Sequence, residues 1–231
     1  SGGYNIKGSS MFGMYDDMYG SVLVYGIIRV CKLYGIPINI VGICPLVENM
    51  VSDKAQRPSD IVKAYNGTTV EIGDTDAEGR LIMADAIALS KKYNPVMIIG
   101  MATMTGSSEK VLGDKSSIMY SRDRYKKYVN PLIRIGEKLG EDIVYLPITD
   151  KMKELIKSNR ADVINSQVNG SNFVCPAVFL EHFADKNTPF IFWDLSSMCN
   201  NKKDVGDPGI TGYGLRLMSH YIKKLSQLGN E

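Results

Sequence analysis

The chain has 231 residues, 44% of them hydrophobic and 23% charged, with 27 Lys and Arg against 25 Asp and Glu. That composition sets disorder, collagen-like repeats and coiled coils aside, and a net charge of +2 makes no electrostatic case for nucleic acid or for an anionic membrane. No apolar run reaches the roughly 18 residues that span a bilayer, which argues against a membrane protein.

Taken in chain order, residues 18–33 carry apolar side chains at helical spacing and are stopped by Gly35-Ile36-Pro37. The β-branched run 38–43 predicts a buried strand. Residues 61–65 and 68–72 flank Asn66-Gly67, which predicts a hairpin with both turn residues at positive φ. A helix is expected over 81–92 and a strand over 95–101, followed by a Gly/Ser/Thr loop. Residues 122–139 predict an amphipathic helix kinked at Pro131, 143–146 a strand, and 151–158 a helix opened by Thr149-Asp150. A helix over 175–183, a strand over 190–195 and a closing helix over 214–228 follow, while 170–172 and 207–212 read as loops. Strand and helix alternating in this way predict an α/β fold, a mixed and mainly parallel sheet flanked by helices on both faces, in one domain over 1–231.

The cysteines, Cys31, Cys44, Cys175 and Cys199, are far apart and form no CxxC pair. That spacing argues against a disulfide framework or structural zinc and for a reducing, cytoplasmic setting. Two histidines, His182 and His220, are too few for a His-rich metal site, and neither neighbours a nucleophile motif. Ser1-Gly2-Gly3 is not a signal peptide and is expected to start a chain cut from something longer.

The informative stretch is Gly73-Asp74-Thr75-Asp76-Ala77-Glu78-Gly79-Arg80-Leu81, between a strand end and a helix start, where α/β folds gather ligands. Three carboxylates within five residues repel one another unless a cation neutralises them, and hard divalent ions bind such oxygen clusters. In an extended segment Asp76 and Glu78 would point to one side, suiting a shared metal, with Arg80 placed to hold an anion beside it. A solvated acidic turn that caps the next helix fits the same residues. Asp16-Asp17 at a helix start equally read as caps, Lys7 as a solvated surface residue, and Ala102-Thr103-Met104-Thr105-Gly106 as a ligand-facing loop or a tight turn.

The octapeptide Asp74–Leu81 resembles the signature of the leucyl aminopeptidase family, the M17 metallopeptidases, which usually reads Asn-Thr-Asp-Ala-Glu-Gly-Arg-Leu. Ser1-Gly2-Gly3-Tyr4-Asn5-Ile6-Lys7, Met14-Tyr15-Asp16-Asp17-Met18, Glu48-Asn49-Met50, Arg57-Pro58-Ser59-Asp60 and Asn66-Gly67-Thr68-Thr69-Val70-Glu71 are similar to further family segments and follow in family order. Residues 102–106, Leu146-Pro147, Ala161-Asp162, Phe179-Leu180 and 212–217 carry the resemblance to the end of the chain.

The resemblance implies a C-terminal catalytic domain that binds two divalent metals, Zn²⁺ or Mn²⁺, and releases N-terminal residues such as Leu from peptides. By motif position Asp17, Asp76 and Glu78 match metal ligands, with Glu78 expected to bridge both ions. Lys7 matches the lysine that polarises the scissile carbonyl or stabilises the intermediate, and Arg80 the arginine that holds a bicarbonate acting as general base. Met14, Thr103, Gly106, Ser196 and Cys199 fall where the family lines its pocket for the first side chain, and Met104 where backbone groups meet the substrate. The resemblance further implies peptide substrates and a homo-oligomer, a hexamer by family likeness.

Departures from the family pattern shape the reading. The family's preceding Gly-Lys-Gly…Asp segment, with a ligating lysine and a bridging aspartate, is not in this sequence, nor is the family's N-terminal domain. Asp74 replaces an Asn, Asp16 an apolar residue and Gly100 an Asp, while Tyr19 replaces a small residue and is expected to crowd the site. A piece of a complete enzyme and a diverged, inactive homologue filling a place in a hexameric assembly both fit, and the retention of Lys7, Asp76, Glu78 and Arg80 favours the enzyme. DNA binding finds no basic stripe to support it.

Overall fold

The computed structural model describes residues 14–113, 115–167, 173–198, 200–201 and 209–228. In chain order its elements are α1 (Tyr19–Leu33), β1 (Ile61–Lys63), β2 (Thr69–Glu71), α2 (Glu78–Ser90), β3 (Ile98–Ala102), α3 (Gly106–Leu112), β4 (Ser117–Ser121), α4 (Lys126–Leu139), β5 (Ile143–Pro147), β6 (Val163–Ile164), α5 (Cys175–Phe183), β7 (Phe190–Asp194), β8 (Asn200–Asn201), β9 (Gly209–Ile210) and α6 (Leu215–Leu228). The chain divides into two units, one holding residues 45–100 and 148–192, the other residues 15–44, 101–147 and 193–231.

In the first unit, β1 and β2 form an antiparallel hairpin with Ile61 opposite Glu71, and β2 pairs in parallel with β6. The hairpin turns at Asn66-Gly67 as expected, with shorter strands and a longer loop. Of the two residues only Gly67 has positive φ (93°); Asn66 instead accepts the Thr68 N–H on its side-chain oxygen, at 3.1 Å. The loop closes where Ala64 N–H meets the Thr68 carbonyl at 2.8 Å. Helix α5 is apolar nearly all round and accordingly buries Cys175, Pro176, Ala177, Val178, Phe179, Leu180 and Phe183. It packs against α2, which buries Ala84 and Ile87. Pro176 sits in the first turn, where its missing N–H would have no helical acceptor.

In the second unit, α1 buries Tyr19, Leu23, Ile27 and Cys31, a stripe at four-residue spacing, and packs against α6. Helix α4, with Pro131 inside it, packs on α6 and on β5. The four-stranded sheet has the order β3-β7-β4-β5, and β4 runs parallel to β5 from Ser117 beside Ile143 to Ser121 beside Pro147. The division between the units falls within β3 and β7, after Gly100 and after Phe192. Glu141 is buried, and its carboxylate accepts the Gly214 and Leu217 N–H groups at 3.2 and 3.3 Å, capping α6 where the helix dipole favours an anion.

The architecture is mixed α/β with two main sheets flanked by helices, as the alternation predicts. Four local expectations give way. Residues 38–43 form no strand; Ile40 and Val41 are exposed, and Gly42 lies so close on α1 that a Cβ would stand 2.4 Å from Ile28 Cδ1. A β-branched run favours extended backbone but needs a sheet edge, and this one lies along a helix instead. The expected loop after β3 is helix α3 from Gly106. Residues 150–156 make a 3-10 helix, and β4 is a strand where none was expected. The loop read at 170–172 and most of that at 207–212 lie outside the described residues. Cys31, Cys44 and Cys175 are free thiols. Among the described residues no helix is long and apolar enough to cross a membrane.

Candidate active site

The acidic stretch folds as a tight turn that delivers the chain from β2 into α2. Asp74 Oδ1 accepts the Asp76 N–H at 2.8 Å, an Asx-turn, and the Asp74 carbonyl accepts the Ala77 N–H at 3.3 Å. One of the three carboxylates therefore shapes the turn, a task an Asn side chain does equally well. Glu78 is the first residue of α2, so the extended geometry that would set Asp76 and Glu78 on one side does not exist. Asp76 lies in the turn, half-buried, and Glu78 Oε2 is shut off from solvent at a helix N-terminus, where the dipole favours its charge.

The turn is held from behind by Asn165, the residue after β6, which is fully buried. Asn165 Oδ1 accepts the N–H groups of Gly73 (2.8 Å) and Asp74 (3.3 Å), and Nδ2 donates to the carbonyls of Asp74 (2.7 Å) and Ala77 (3.3 Å). Its backbone N–H reaches the Glu71 carbonyl at 3.0 Å, and its own carbonyl accepts Arg80 Nη1 at 2.6 Å. Arg80 is buried, with Nη1 also 3.5 Å from Cys175 Sγ. Burial pushes the Cys175 thiol above its ordinary range, and the Arg80 charge pulls against that.

The second unit holds a separate set. Asp17 is exposed, and its Oδ1 accepts the Thr103 hydroxyl at 2.6 Å. Past Thr103 the loop is pinned by Asp194, the last residue of β7 and fully buried. Asp194 Oδ1 accepts the Met104 N–H (3.3 Å), the Ser196 N–H (3.1 Å) and the Ser196 hydroxyl (2.6 Å), while Oδ2 accepts the Thr105 hydroxyl. Ser196 Oγ in turn accepts the Thr105 N–H at 2.9 Å. Burial pushes the Asp194 carboxyl upward, against the lowering effect of these donors.

Of the residues singled out from sequence, the structure brings Asp76, Glu78 and Arg80 onto one braced turn in the first unit. It places Asp17, Thr103, Met104, Gly106 and Ser196 in the second. Gly106 starts α3 with open space where a Cβ would stand, and Met14 is exposed in the 3-10 turn Met14–Asp16. Tyr19 points into the core of its unit, with its hydroxyl on the Tyr213 carbonyl at 2.6 Å. Lys7 and Cys199 lie outside the described residues. Asn165 and Asp194 escaped the sequence reading. A carboxylate ending the apolar run Phe190–Asp194 was a signal available for the second; a single Asn carries none.

Asp76 and Glu78 are all-oxygen donors on a turn whose backbone is fixed, a donor chemistry that fits a hard divalent cation. Among the described residues no three His, Cys, Asp or Glu side chains gather closely enough to hold a metal on their own.

Carboxylates and a buried arginine at a strand-to-helix turn stand where α/β folds gather ligands. The model of the cytosol aminopeptidase family's catalytic domain matches residues 1–219. The chain is 37% identical over 228 residues to a probable cytosol aminopeptidase of Chlorobium limicola, covering 98% of this chain and 45% of that one. It is 38% identical over 235 residues to one of Cenarchaeum symbiosum, covering 98% and 48%. Among solved structures it is similar to the bottromycin maturation enzyme BotP (TM-score 0.88, 26% identity, 98% of this chain and 50% of that one). It is also similar to BotP in complex with Mn (TM-score 0.90, 27% identity, 98% and 51%). The chain belongs to the cytosol aminopeptidase family, a family of peptidases, and spans about half the length of the curated relatives it matches.

Proposed function

We propose that this protein is a metal-dependent aminopeptidase that releases N-terminal residues, Leu among them, from peptides. The observation that carries the reading is the turn at 74–80, which presents Asp76 and Glu78 beside a buried Arg80 in a chain of this peptidase family. In the reading, Asp17, Asp76 and Glu78 would supply oxygen donors for two divalent cations. The Mn complex of BotP supports manganese as one of the metals, with zinc the other choice. Bound divalent cations supply Lewis acidity, lowering the pKa of water towards neutrality and polarising a carbonyl.

The chain's own groups do the rest. Thr103, through its hydroxyl, holds the Asp17 carboxylate in one orientation. Asn165 holds the turn. Arg80, oriented by the Asn165 carbonyl, is a buried cation that would retain bicarbonate, an anion that would supply a general base there. Lys7 is assigned to the substrate carbonyl oxygen, where an ammonium group stabilises developing negative charge. Met14, Thr103, Gly106, Ser196 and Cys199 are assigned to the pocket for the first side chain, and Met104 to backbone contact with the peptide. A cytoplasmic homo-oligomer, a hexamer, is the assembly proposed.

The test is hydrolysis of a leucyl amide with added Mn²⁺, beside Glu78→Gln, with Mn²⁺ titrated calorimetrically into both. The reading expects saturable binding and turnover that the variant loses. Equal metal occupancy in the variant sinks the role given to Glu78.

A further inference from the structure

We propose that Asn165 is the positioning residue of the active-site turn. It fixes where the Asp76 and Glu78 carboxylates stand and where Arg80 points, and through them sets the affinity for the divalent cation. The inference rests on the metal reading above and goes beyond it to a residue that touches neither metal nor substrate.

The argument is one of backbone constraint. The six residues between β2 and α2 have many conformations open to them, and the Asx-turn of Asp74 and the Asp74–Ala77 contact tie the segment internally. The Asn165 amide closes both ends at once, accepting from Gly73 and Asp74 and donating to Asp74 and Ala77. An amide is the one side-chain group that offers two donors and an acceptor oxygen in a single rigid plane. Its backbone adds the Glu71 contact on the incoming strand and the Arg80 contact on the outgoing helix. Asp76 lies between the clamped residues, and Glu78 follows Ala77 directly. Gly73 tightens the fit: a Cβ there would stand 1.8 Å from the Ser166 carbonyl oxygen, so the turn lies flat against the strand that presents Asn165.

Asn165→Asp tests this sharply, because it is isosteric and keeps an acceptor for Gly73 and Asp74 while removing both donors. The added charge alone would tighten a cation, whereas a loosened turn weakens it, so the two effects have opposite signs. Mn²⁺ alone is titrated into the metal-free protein. Supporting residues of metal ligands typically change affinity by about 10- to 100-fold, and a loss of that size is expected here. Glu71→Gln is the control: the Glu71 side chain ties Ser158 and Arg160, and its contact with Asn165 runs through the backbone carbonyl, which the substitution keeps. It should lower the unfolding midpoint and leave Mn²⁺ affinity within twofold.

Amide exchange on the metal-free wild-type protein supplies a readout that needs no variant. The Gly73 and Asp74 amides should exchange as slowly as the Asn165 amide, all opening in one event. Faster exchange at 73–74 than at 165 overturns the proposal, as does Mn²⁺ affinity in Asn165→Asp equal to or tighter than wild type, or an equal loss in Glu71→Gln. A wild-type protein that binds no Mn²⁺ sinks the metal reading and its affinity clause, while the exchange result still decides whether Asn165 holds the turn.

Discussion

Trp193 donates its indole N–H to Ser117 Oγ across 2.7 Å, with both side chains sealed from solvent. The direction of the chain beyond them follows from chemistry. Indole can only donate and a backbone carbonyl can only accept, so Ser117 passes its proton towards Tyr213 Oη at 2.9 Å and Tyr213 donates to the Asp142 carbonyl at 2.5 Å. Burial pushes the Tyr213 phenol above its ordinary range, which favours its protonated, donating form.

Ser117→Ala removes the acceptor and strands the indole N–H in a dry site. The expected cost is about 1–3 kcal/mol of unfolding free energy, the penalty for a buried unpaired donor. Denaturant unfolding followed by circular dichroism measures it. Trp193→Phe in the Ser117→Ala background should cost less than the sum of the two single changes, because the stranded donor is gone. Full additivity would mean that the pair is not coupled.

The same serine explains what the sequence hid. Strand β4, Ser-Ile-Met-Tyr-Ser, is buried along its whole length, yet its two serines break any apolar run, and nothing local announces that Trp193 and Tyr213 will satisfy one of them. The hairpin at Asn66-Gly67 and the amphipathic helices α1, α4 and α6 were legible because turn chemistry and 3.6-residue spacing are local signals. Asp76, Glu78 and Arg80 were legible as a motif, but their support was not. Asn165 acts across 88 to 92 residues of sequence, and Asp194 across 89 to 90 to reach Thr105 and Met104. Run 38–43 failed for the converse reason: its β propensity was real, and the partner strand was missing among the described residues.

Gly73→Ala should act on stability and on metal affinity together. The new methyl meets the Ser166 carbonyl oxygen at 1.8 Å, a backbone atom that cannot rotate away, so turn and strand must separate. A forced shift of this kind typically costs about 1–3 kcal/mol. Because the displaced backbone carries the Asp74 contacts to Asn165, Mn²⁺ affinity should fall as well. An unfolding midpoint unchanged from wild type would refute the close packing that the prediction assumes.

Asp162 ties β2 to the approach of β6, accepting the Thr69 N–H at 2.9 Å and the Thr69 hydroxyl at 2.7 Å. The Thr69 backbone N–H, then its hydroxyl, hold this carboxyl below its ordinary value of 3.8. Between the folded and unfolded pKa the unfolded chain binds more protons, so stability rises with pH there. The contribution is complete above the unfolded value and is lost as pH falls through the folded one. Urea midpoints of wild type and Asp162→Asn should therefore stand apart at pH 7, with the variant lower, and converge in acid. A constant gap at every pH would show that the charge of Asp162 contributes nothing.

Asp194 predicts the opposite slope. Burial raises its folded pKa above the unfolded value, so over the interval between them the folded protein holds the extra proton. Its contribution to stability is full below the unfolded pKa and is lost as pH rises through the folded one, where the buried carboxylate must ionise. Asn at this position removes the charge and keeps the shape: the amide oxygen takes over the contacts from Met104 and Ser196, and the amide NH₂ donates to Thr105 once that hydroxyl rotates. Asp194→Asn should lack the decline, so the difference between variant and wild type grows in favour of the variant as pH rises from about 4 towards neutrality. Asp194→Ala, which empties the site, should instead lose about 1–3 kcal/mol, the penalty for leaving the buried donors of Thr105, Met104 and Ser196 without their acceptor. It should also free the Thr103–Thr105 segment, raising KM for the leucyl amide more than it lowers kcat. Unfolding curves at intervals across that pH range decide the matter, and parallel curves for wild type and Asp194→Asn would mean that Asp194 keeps one protonation state throughout.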